Sequence, residues 1–81
     1  MKFWFSVTAE DQLERLPAYL QKRILSKVAL YAGQTDPLQF AEPLSASELF
    51  RFRIGDYRVI FEVLHGTIWI LAIKRRDEAY R

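Results

Sequence analysis

The stretch that decides the fold is residues 49–73, LFRFRIGDYRVIFEVLHGTIWILAI. Aromatic and β-branched residues dominate it, and its two glycines occur in the pairs Gly55-Asp56 and His65-Gly66. Pairs of this kind are typical of the tight turns of β-hairpins. The stretch therefore predicts three consecutive strands, the last of which is strongly apolar and is expected to lie inside the sheet. The predicted strands cover 49–54, 57–64 and 67–73.

The first residues of the chain predict a strand followed by a helix. Residues 2–7, KFWFSV, have the aromatic and β-branched composition of a strand, with Phe3 and Phe5 on one face. Thr8 is followed three residues later by Asp11, a spacing that resembles a capping box at a helix start. We therefore expect a first helix over 9–16.

A second helix and a connector follow. Pro17 suits the first helical position, and apolar residues repeat every three or four positions from there to Ala32, before Gly33. Residues 34–49 have no clear period, and we expect a connector with a short strand at 41–44. The order β-α-α-β-β-β predicts an α+β fold in which two N-terminal helices pack on a small, twisted, mostly antiparallel sheet.

Length and composition restrict the classes of function. A chain of 81 residues that is 51% hydrophobic can form one domain, 1–81, with a single core. Because it has no cysteine and one histidine, it has no disulfide, no thiolate nucleophile and no site needing two histidines. No acidic cluster or phosphate-binding glycine loop is present, so we expect no metal and no cofactor. No apolar run approaches a membrane span and the N-terminus is unlike a signal peptide, which predicts a cytoplasmic protein without a membrane partner.

Positive charge is concentrated in the last third of the chain. Residues 1–50 carry five Lys/Arg and six Asp/Glu, a net charge of −1, whereas residues 51–81 carry seven and four, a net charge of +3. A basic region of this kind favours an anionic partner, with nucleic acid as the leading class.

Strand alternation predicts that the basic residues share a surface. Arg51 and Arg53 are two residues apart and share a face, and Arg58 can project from the same face of the next strand. Arginine holds a planar fork of donors that grips phosphate oxygens in pairs. The opposing interpretation is that these are ordinary solvated charges, paired with Glu62, Asp56, Asp77 or Glu78. After the third strand, the tail adds Lys74, Arg75, Arg76, Tyr80 and Arg81 to the predicted surface.

Four other residues could have catalytic or base-stacking roles, but structural roles are expected for them. His65 stands beside Gly66 at a predicted hairpin tip, where a turn role is expected. Glu62 could act as a general base, but cross-strand pairing with Arg58 or Arg53 is the favoured interpretation. Trp4 and Trp69 are expected to pack in the core or on the sheet face rather than to stack on bases.

At this point the residues resemble a known family, the RelE/ParE superfamily of bacterial toxin components. The specific part is RFRIGDYRVIFE (Arg51–Glu62), and the stretch Leu49–Arg81 as a whole agrees with it. The order of the predicted elements and the helices LERLP…LQKRIL extend the resemblance over nearly the whole chain.

The resemblance implies two different activities. RelE-like members are ribosome-dependent endoribonucleases that cut mRNA without a metal, by attack of the 2′-hydroxyl to give a 2′,3′-cyclic phosphate, and so inhibit translation and growth. ParE-like members inhibit DNA gyrase and are not nucleases. A third interpretation is a degraded or purely regulatory toxin homologue. The RelE-like activity is favoured here, with ribosome and mRNA as partners.

Both branches imply an antitoxin partner. A cognate antitoxin holds such toxins inactive, and the toxin–antitoxin complex is expected to bind operator DNA through the antitoxin. Some members carry a late helix, which is expected to be absent here because the chain stops at Arg81.

The resemblance also assigns roles to residues of this chain. Arg58 matches the arginine that stabilises phosphate charge, and Arg51 and Arg53 match basic strand positions that RelE-like members often fill with lysine. Lys74 matches a basic position after the last strand, which Arg75 or Arg76 would take if the register slips by one. Tyr80 matches a tyrosine that stacks on the substrate base.

Because arginines occupy the strand positions, the general base must be another residue. Guanidinium does not release its proton in proteins, so Arg51 and Arg53 cannot replace a catalytic lysine. The base would have to be Lys74, Tyr80 or Glu62. Lys74 is the best physical candidate, since the neighbouring positive charges disfavour its own charge. The predicted catalytic residues are therefore Arg58, Lys74 and Tyr80, with phosphate and RNA contacts from Arg51, Arg53, Arg75, Arg76 and Arg81.

Overall fold

The computed structural model describes residues 1–79 and shows two helices packed on one face of a five-stranded sheet. A 3-10 helix lies in the connector, at Pro37–Phe40. The strands are β1 (Lys2–Phe5), β2 (Glu42–Pro43), β3 (Phe50–Ile54), β4 (Tyr57–Leu64) and β5 (Thr67–Arg75), and the helices are α1 (Val7–Glu14), α2 (Ala18–Ala32) and α3 (Arg76–Ala79).

The sheet has the order β1-β5-β4-β3-β2. β1 runs parallel to β5, and all other neighbouring pairs are antiparallel. The predicted α+β fold, the mostly antiparallel sheet and the internal position of β5 are confirmed. The short strand expected at 41–44 is β2, which pairs with β3 and forms the edge of the sheet.

Two details of the N-terminal half differ from the sequence-based expectation. α1 is capped by Ser6, whose side chain accepts a hydrogen bond from the Ala9 N–H at 3.0 Å, so the helix begins before Thr8. The predicted cap was wrong because the strand ends at Phe5, two residues earlier than expected, which frees Ser6 for the cap position. Pro17 is the residue before α2 rather than its first residue.

Side chains at the start of α1 and within it form hydrogen bonds to the part of β5 that extends beyond β1. β1 pairs with β5 only as far as Ile70, and β5 then contains one extra residue, Leu71, in its register with β4. Ser6 donates its hydroxyl to the carbonyl oxygen of Leu71, and Gln12 accepts from the N–H of Ile73 at 2.6 Å. These side chains replace the hydrogen bonds of a missing strand neighbour and hold α1 against the bulged part of β5.

Both predicted hairpin turns are present. His65 and Gly66 both have positive φ, at 51° and 71°, as the two central residues of a type I′ turn require. His65 is therefore a turn residue, as expected. In the other turn Gly55 has φ 59°, a conformation that glycine adopts without strain.

The C-terminal end is more regular than predicted. β5 continues through Lys74 and Arg75, and a short helix, α3, follows where the sequence predicted a polar tail with no helix. The N–H of Arg76 donates to the carbonyl oxygen of Asp56 at 2.7 Å, which joins the start of α3 to the β3–β4 turn. Tyr80 and Arg81 lie outside the described residues.

A single core lies between the helices and the inner face of the sheet. Aromatic rings form its centre, with Phe52 stacked on Phe61 at 4.4 Å between ring centroids and Tyr31 at 5.0 Å from Phe52. The buried apolar residues are Ala9, Leu13, Ile24, Val28, Ala32, Phe52, Ile54, Val59, Phe61, Ile68, Ile70 and Ile73.

Candidate functional site

Three cationic residues lie side by side across the sheet, on the face opposite α1 and α2. Arg53 of β3 is the register partner of Arg58 of β4, and Arg58 is the partner of Lys74 of β5. Directly opposed residues of antiparallel strands share a face, and neighbouring strands are about 4.8 Å apart. We call Arg53, Arg58 and Lys74 the cationic row, whose end positions are about 10 Å apart.

The register of β4 with β5 shows which basic residue at the end of β5 lies beside Arg58. Lys74, and not Arg75, stands opposite Arg58. Arg75 is the partner of Tyr57 and lies on the other face of the sheet. It lines an open cleft of about 450 Å³ between α2 and the β3–β4 turn, together with Arg23. Arg76 is exposed at the start of α3. The structure thus separates Arg75 from the predicted basic surface.

Arg58 occupies the predicted face but is not exposed there. It is 1% exposed, and among residues 1–77 it is the only charged residue that is buried. Its Nη1 donates to the carbonyl oxygens of Tyr57 at 3.1 Å and Gly55 at 3.3 Å. The expectation of a projecting side chain was wrong because the guanidinium folds back onto the β3–β4 turn, close to where α3 contacts β4 and β5.

Arg58 keeps hydrogen-bonding capacity in this buried position. Its Nε is buried and has no hydrogen-bond partner among residues 1–77, and no carboxylate of those residues forms an ion pair with it. A buried charge normally has a counter-ion, because leaving water costs several kcal/mol. Because the side chain is 1% exposed, an anion from outside the chain binds it only after the guanidinium turns toward the surface.

Glu42 is a member of this site that the sequence did not reveal. Its carboxylate accepts from Nη2 of Arg51 at 3.0 Å and from Nη1 of Arg53 at 3.4 Å. The hydrogen bond from Arg51, helped by the charges of both arginines, lowers the pKa of Glu42 below its ordinary value of 4.5. The predicted pairing of Glu62 with Arg53 or Arg58 was wrong. Glu62 lies four residues from Arg58 along β4, about 13 Å away.

The Glu42 carboxylate should make the stability of the protein depend on pH. Because its folded-state pKa is lowered, its contribution is present above about pH 4.5 and is lost as the pH falls through the lower folded-state value. We expect the free energy of unfolding of Glu42→Gln to fall less between pH 4.5 and lower pH than that of the unaltered protein. Urea unfolding at a series of pH values measures it, with Glu48→Gln in the same connector as the control. Identical pH profiles for the two variants would contradict the pairing.

The remaining candidate residues are placed as follows. Trp4 and Trp69 lie on the sheet face rather than in the core, and both are exposed. Tyr80 and Arg81 lie outside the described residues, so their predicted roles stay predictions. Within residues 1–79 no group of three His, Cys, Asp or Glu side chains is placed to hold a metal ion. In the same part of the chain no helix is both long and apolar enough to cross a membrane.

Comparison with known proteins identifies the family. The family model described as the ParE toxin of type II toxin-antitoxin system, parDE, matches residues 4–80. The chain belongs to this toxin family. The predicted RelE/ParE superfamily is thereby confirmed, and the protein is a toxin of a type II toxin–antitoxin system. The comparison with curated proteins gave no match.

Solved structures agree with this identification of the toxin. A chain of the RelBE2 toxin–antitoxin complex from Mycobacterium tuberculosis is 30% identical, with a TM-score of 0.68 over 93% of this chain and 96% of that chain. A chain of the archaeal RelE–RelB complex from Pyrococcus horikoshii is 27% identical, with a TM-score of 0.74 and 93% of each chain covered. The isolated RelE toxin of E. coli is 12% identical, has a TM-score of 0.75 over 98% of this chain and 89% of that chain, and shares the fold.

Proposed function

We propose that this toxin is a ribosome-dependent endoribonuclease that cuts mRNA and so inhibits translation and growth. The observation that carries the proposal is the buried Arg58 guanidinium, which has no acidic partner among residues 1–77 and stands between Arg53 and Lys74 in the register of the sheet. Three cations in one row, one of them desolvated, form a site for the phosphodiester of a nucleic acid. The family's resemblance to RelE toxins supports mRNA as the nucleic acid.

The cationic row supplies the groups that cleavage requires. Lys74 is the only member of the row that can exchange a proton, because guanidinium stays protonated in proteins. In the proposed reaction its Nζ takes the proton of the ribose 2′-hydroxyl. The 2′-oxygen then bonds to the adjacent phosphorus, the bond to the 5′-oxygen breaks, and that oxygen takes a proton from water. The proton now on Lys74 passes to the hydroxide that remains, which restores the neutral amine.

Two arginines stabilise the charge that develops in this reaction. The phosphorane carries an additional negative charge, and Arg53 lies exposed on the face where it forms. Arg58 is buried, and its guanidinium reaches the phosphorane by turning away from the carbonyl groups of the β3–β4 turn. Such preorganised donors are worth more in a desolvated site than in water, which fits the burial of Arg58. The products are a 2′,3′-cyclic phosphate and a 5′-hydroxyl. Because the RNA supplies its own nucleophile, the reaction needs no metal-bound water.

The proposal includes the partners expected of such a toxin. A cognate antitoxin would hold it inactive, and this is supported by relatives whose structures are toxin–antitoxin complexes. The ribosome and mRNA are its targets in the cytoplasm, and operator DNA is bound by the complex through the antitoxin.

Induced expression in a bacterial host tests the cleavage directly. We expect new 5′ ends inside translated codons for the unaltered toxin and for Arg75→Ala, and at least about 100-fold fewer for Lys74→Ala. The two variants remove neighbouring cations from opposite faces of β5, so they form a matched pair. Equal cleavage by both variants would contradict the role of Lys74.

A gyrase inhibitor is the second candidate function. The matching family description names ParE toxins, and Glu42 already neutralises part of the charge of Arg51 and Arg53. In that case the toxin would arrest growth without cutting mRNA. Gyrase would be trapped on DNA, and Lys74→Ala would arrest growth as strongly as Arg75→Ala does.

A further inference from the structure

Both tryptophans of the chain lie on the sheet face that carries the cationic row. Trp4 of β1 is the register partner of Trp69 of β5, and Trp69 is the partner of Glu62 of β4. Glu62 is an even number of residues from Arg58 along β4, so its side chain shares the face of Arg58. The two indoles therefore lie side by side at the opposite end of this face from the row.

These side chains are far more exposed than large aromatic residues usually are. Trp4 is 57% exposed and Trp69 is 39% exposed, and Leu64 beside them is 46% exposed. Large apolar side chains that cluster on a surface mark a site of interaction. α1 and α2 pack on the other face, and α3 follows β5 at the end that carries the cationic row, away from the tryptophans.

The distance between the tryptophans and the cationic row matches a short piece of single-stranded nucleic acid. Four residues of β4 separate Glu62 from Arg58, about 13 Å. A stacked strand rises by about 3.4 Å per nucleotide, so about four nucleotides span the two places. Ile60 lies between them on the same face and is partly buried, so it offers no charge to interrupt the path.

We propose that Trp4 and Trp69 form a stacking platform for unpaired bases of a single-stranded RNA whose phosphates bind the cationic row. The inference rests on the proposed action on RNA for its ligand, and it adds a base subsite at a distance from the reacting phosphate. An indole stacks on any base, since every base has a π-face, so the platform takes RNA without regard to sequence.

The charge around the platform favours bases over phosphates. Glu62 stands opposite Trp69, and its carboxylate repels a phosphate placed there. Among residues 1–77, Lys2, two residues before Trp4 on β1, is the one cation on this face beside the tryptophans, whereas three cations stand together at the other end, in the cationic row. A polynucleotide presents both kinds of group along one strand, which matches this division of the face better than an apolar protein segment does.

Intrinsic fluorescence tests the platform, because Trp4 and Trp69 are the only tryptophans of the chain. Titration with a short single-stranded oligoadenylate is expected to quench the emission in a saturable and salt-dependent way. Trp69→Ala should weaken binding about tenfold, as followed through the remaining Trp4. Trp4→Phe keeps an aromatic ring and should bind with nearly unchanged affinity.

Tyr19→Ala is the matched control, because Tyr19 is an aromatic residue of α2 that is 71% exposed on the other side of the molecule. It should bind oligoadenylate like the unaltered toxin. Unchanged emission on titration, as expected if the platform binds protein instead, would overturn the inference, and so would full affinity in Trp69→Ala.

The outcomes also separate this inference from the proposed nuclease. Quenching that depends on Trp69, in a toxin that leaves ribosome-bound mRNA intact, would support the platform and reject the nuclease. Cleavage that depends on Lys74, with oligoadenylate affinity unaffected by Trp69→Ala, would support the nuclease and reject the platform.

Discussion

Replacement of Arg58 by methionine is expected to abolish mRNA cleavage while leaving the folded toxin as stable as before, or more stable. The buried guanidinium donates hydrogen bonds to the backbone carbonyl oxygens of Gly55 and Tyr57, and Arg58 is the register partner of Arg53, a like charge. Such a group costs stability, because no carboxylate of residues 1–77 forms an ion pair that offsets its loss of hydration. Methionine is flexible and fills a similar space without the charge.

The two effects of Arg58→Met differ in size. Loss of a desolvated charge that stabilises the phosphorane should lower the cleavage rate by about 100-fold or more. The free energy of unfolding should change by less than about 1 kcal/mol, or rise. Cleavage of ribosome-bound mRNA and urea unfolding measure the two quantities on the same preparation.

Arg15→Met is the control for Arg58→Met, because it removes the same charge from an exposed position of the N-terminal half. It should change neither quantity. A loss of more than about 3 kcal/mol in Arg58→Met would identify Arg58 as a structural residue. Unimpaired cleavage in a stable Arg58→Met variant would show that Arg58 does not act on the phosphate.

Replacement of Phe52 by alanine is expected to have the largest effect on stability. Phe52 is completely buried and contacts the rings of Phe61 and Tyr31 at the centre of the core. Truncation of a buried phenylalanine costs about 3–5 kcal/mol, because the surrounding side chains fill the cavity only in part. A domain of this size has a total stability of about 4–12 kcal/mol, so the variant should be close to unfolding at growth temperature.

Thermal unfolding measures the effect of Phe52→Ala. We expect a fall in the melting temperature of about 15–30 °C. Phe40→Ala is the matched control, since Phe40 also stacks on Tyr31 but is partly exposed at the end of the connector helix. Its effect should be at most about one third as large. Equal effects of the two variants would contradict the position of Phe52 at the centre of the core.

Most of the fold could be predicted from the sequence because its signals are local. Glycine-containing pairs mark both hairpins, and alternation along the strands determines which residues enter the core. The cap at Ser6 was missed because Thr8 satisfies the same local rule, and the choice between them depends on where β1 leaves the sheet. α3 was missed because a segment of four residues carries too short a pattern.

The candidate site could be predicted only in part, because alternation gives the face of a side chain and not its surroundings. The shared face of Arg53 and Arg58 was predictable, but the burial of Arg58 was not, because its guanidinium bonds to backbone carbonyl groups at the β3–β4 turn. Glu42 was not found because the connector has no turn signal to fix its register with Arg51. By contrast, alternation along β5 is sufficient to place Lys74 and Arg75 on opposite faces of the sheet.

Ribosome-dependent cleavage of mRNA can be tested with purified toxin and ribosomes that translate a defined mRNA. The chemical groups at the ends of the mRNA fragments are then identified. We expect cleaved mRNA with 2′,3′-cyclic phosphate ends for the unaltered toxin and for Arg75→Ala, and intact mRNA for Lys74→Ala. Intact mRNA with the unaltered, folded toxin, in a preparation that traps gyrase on DNA, would contradict this expectation.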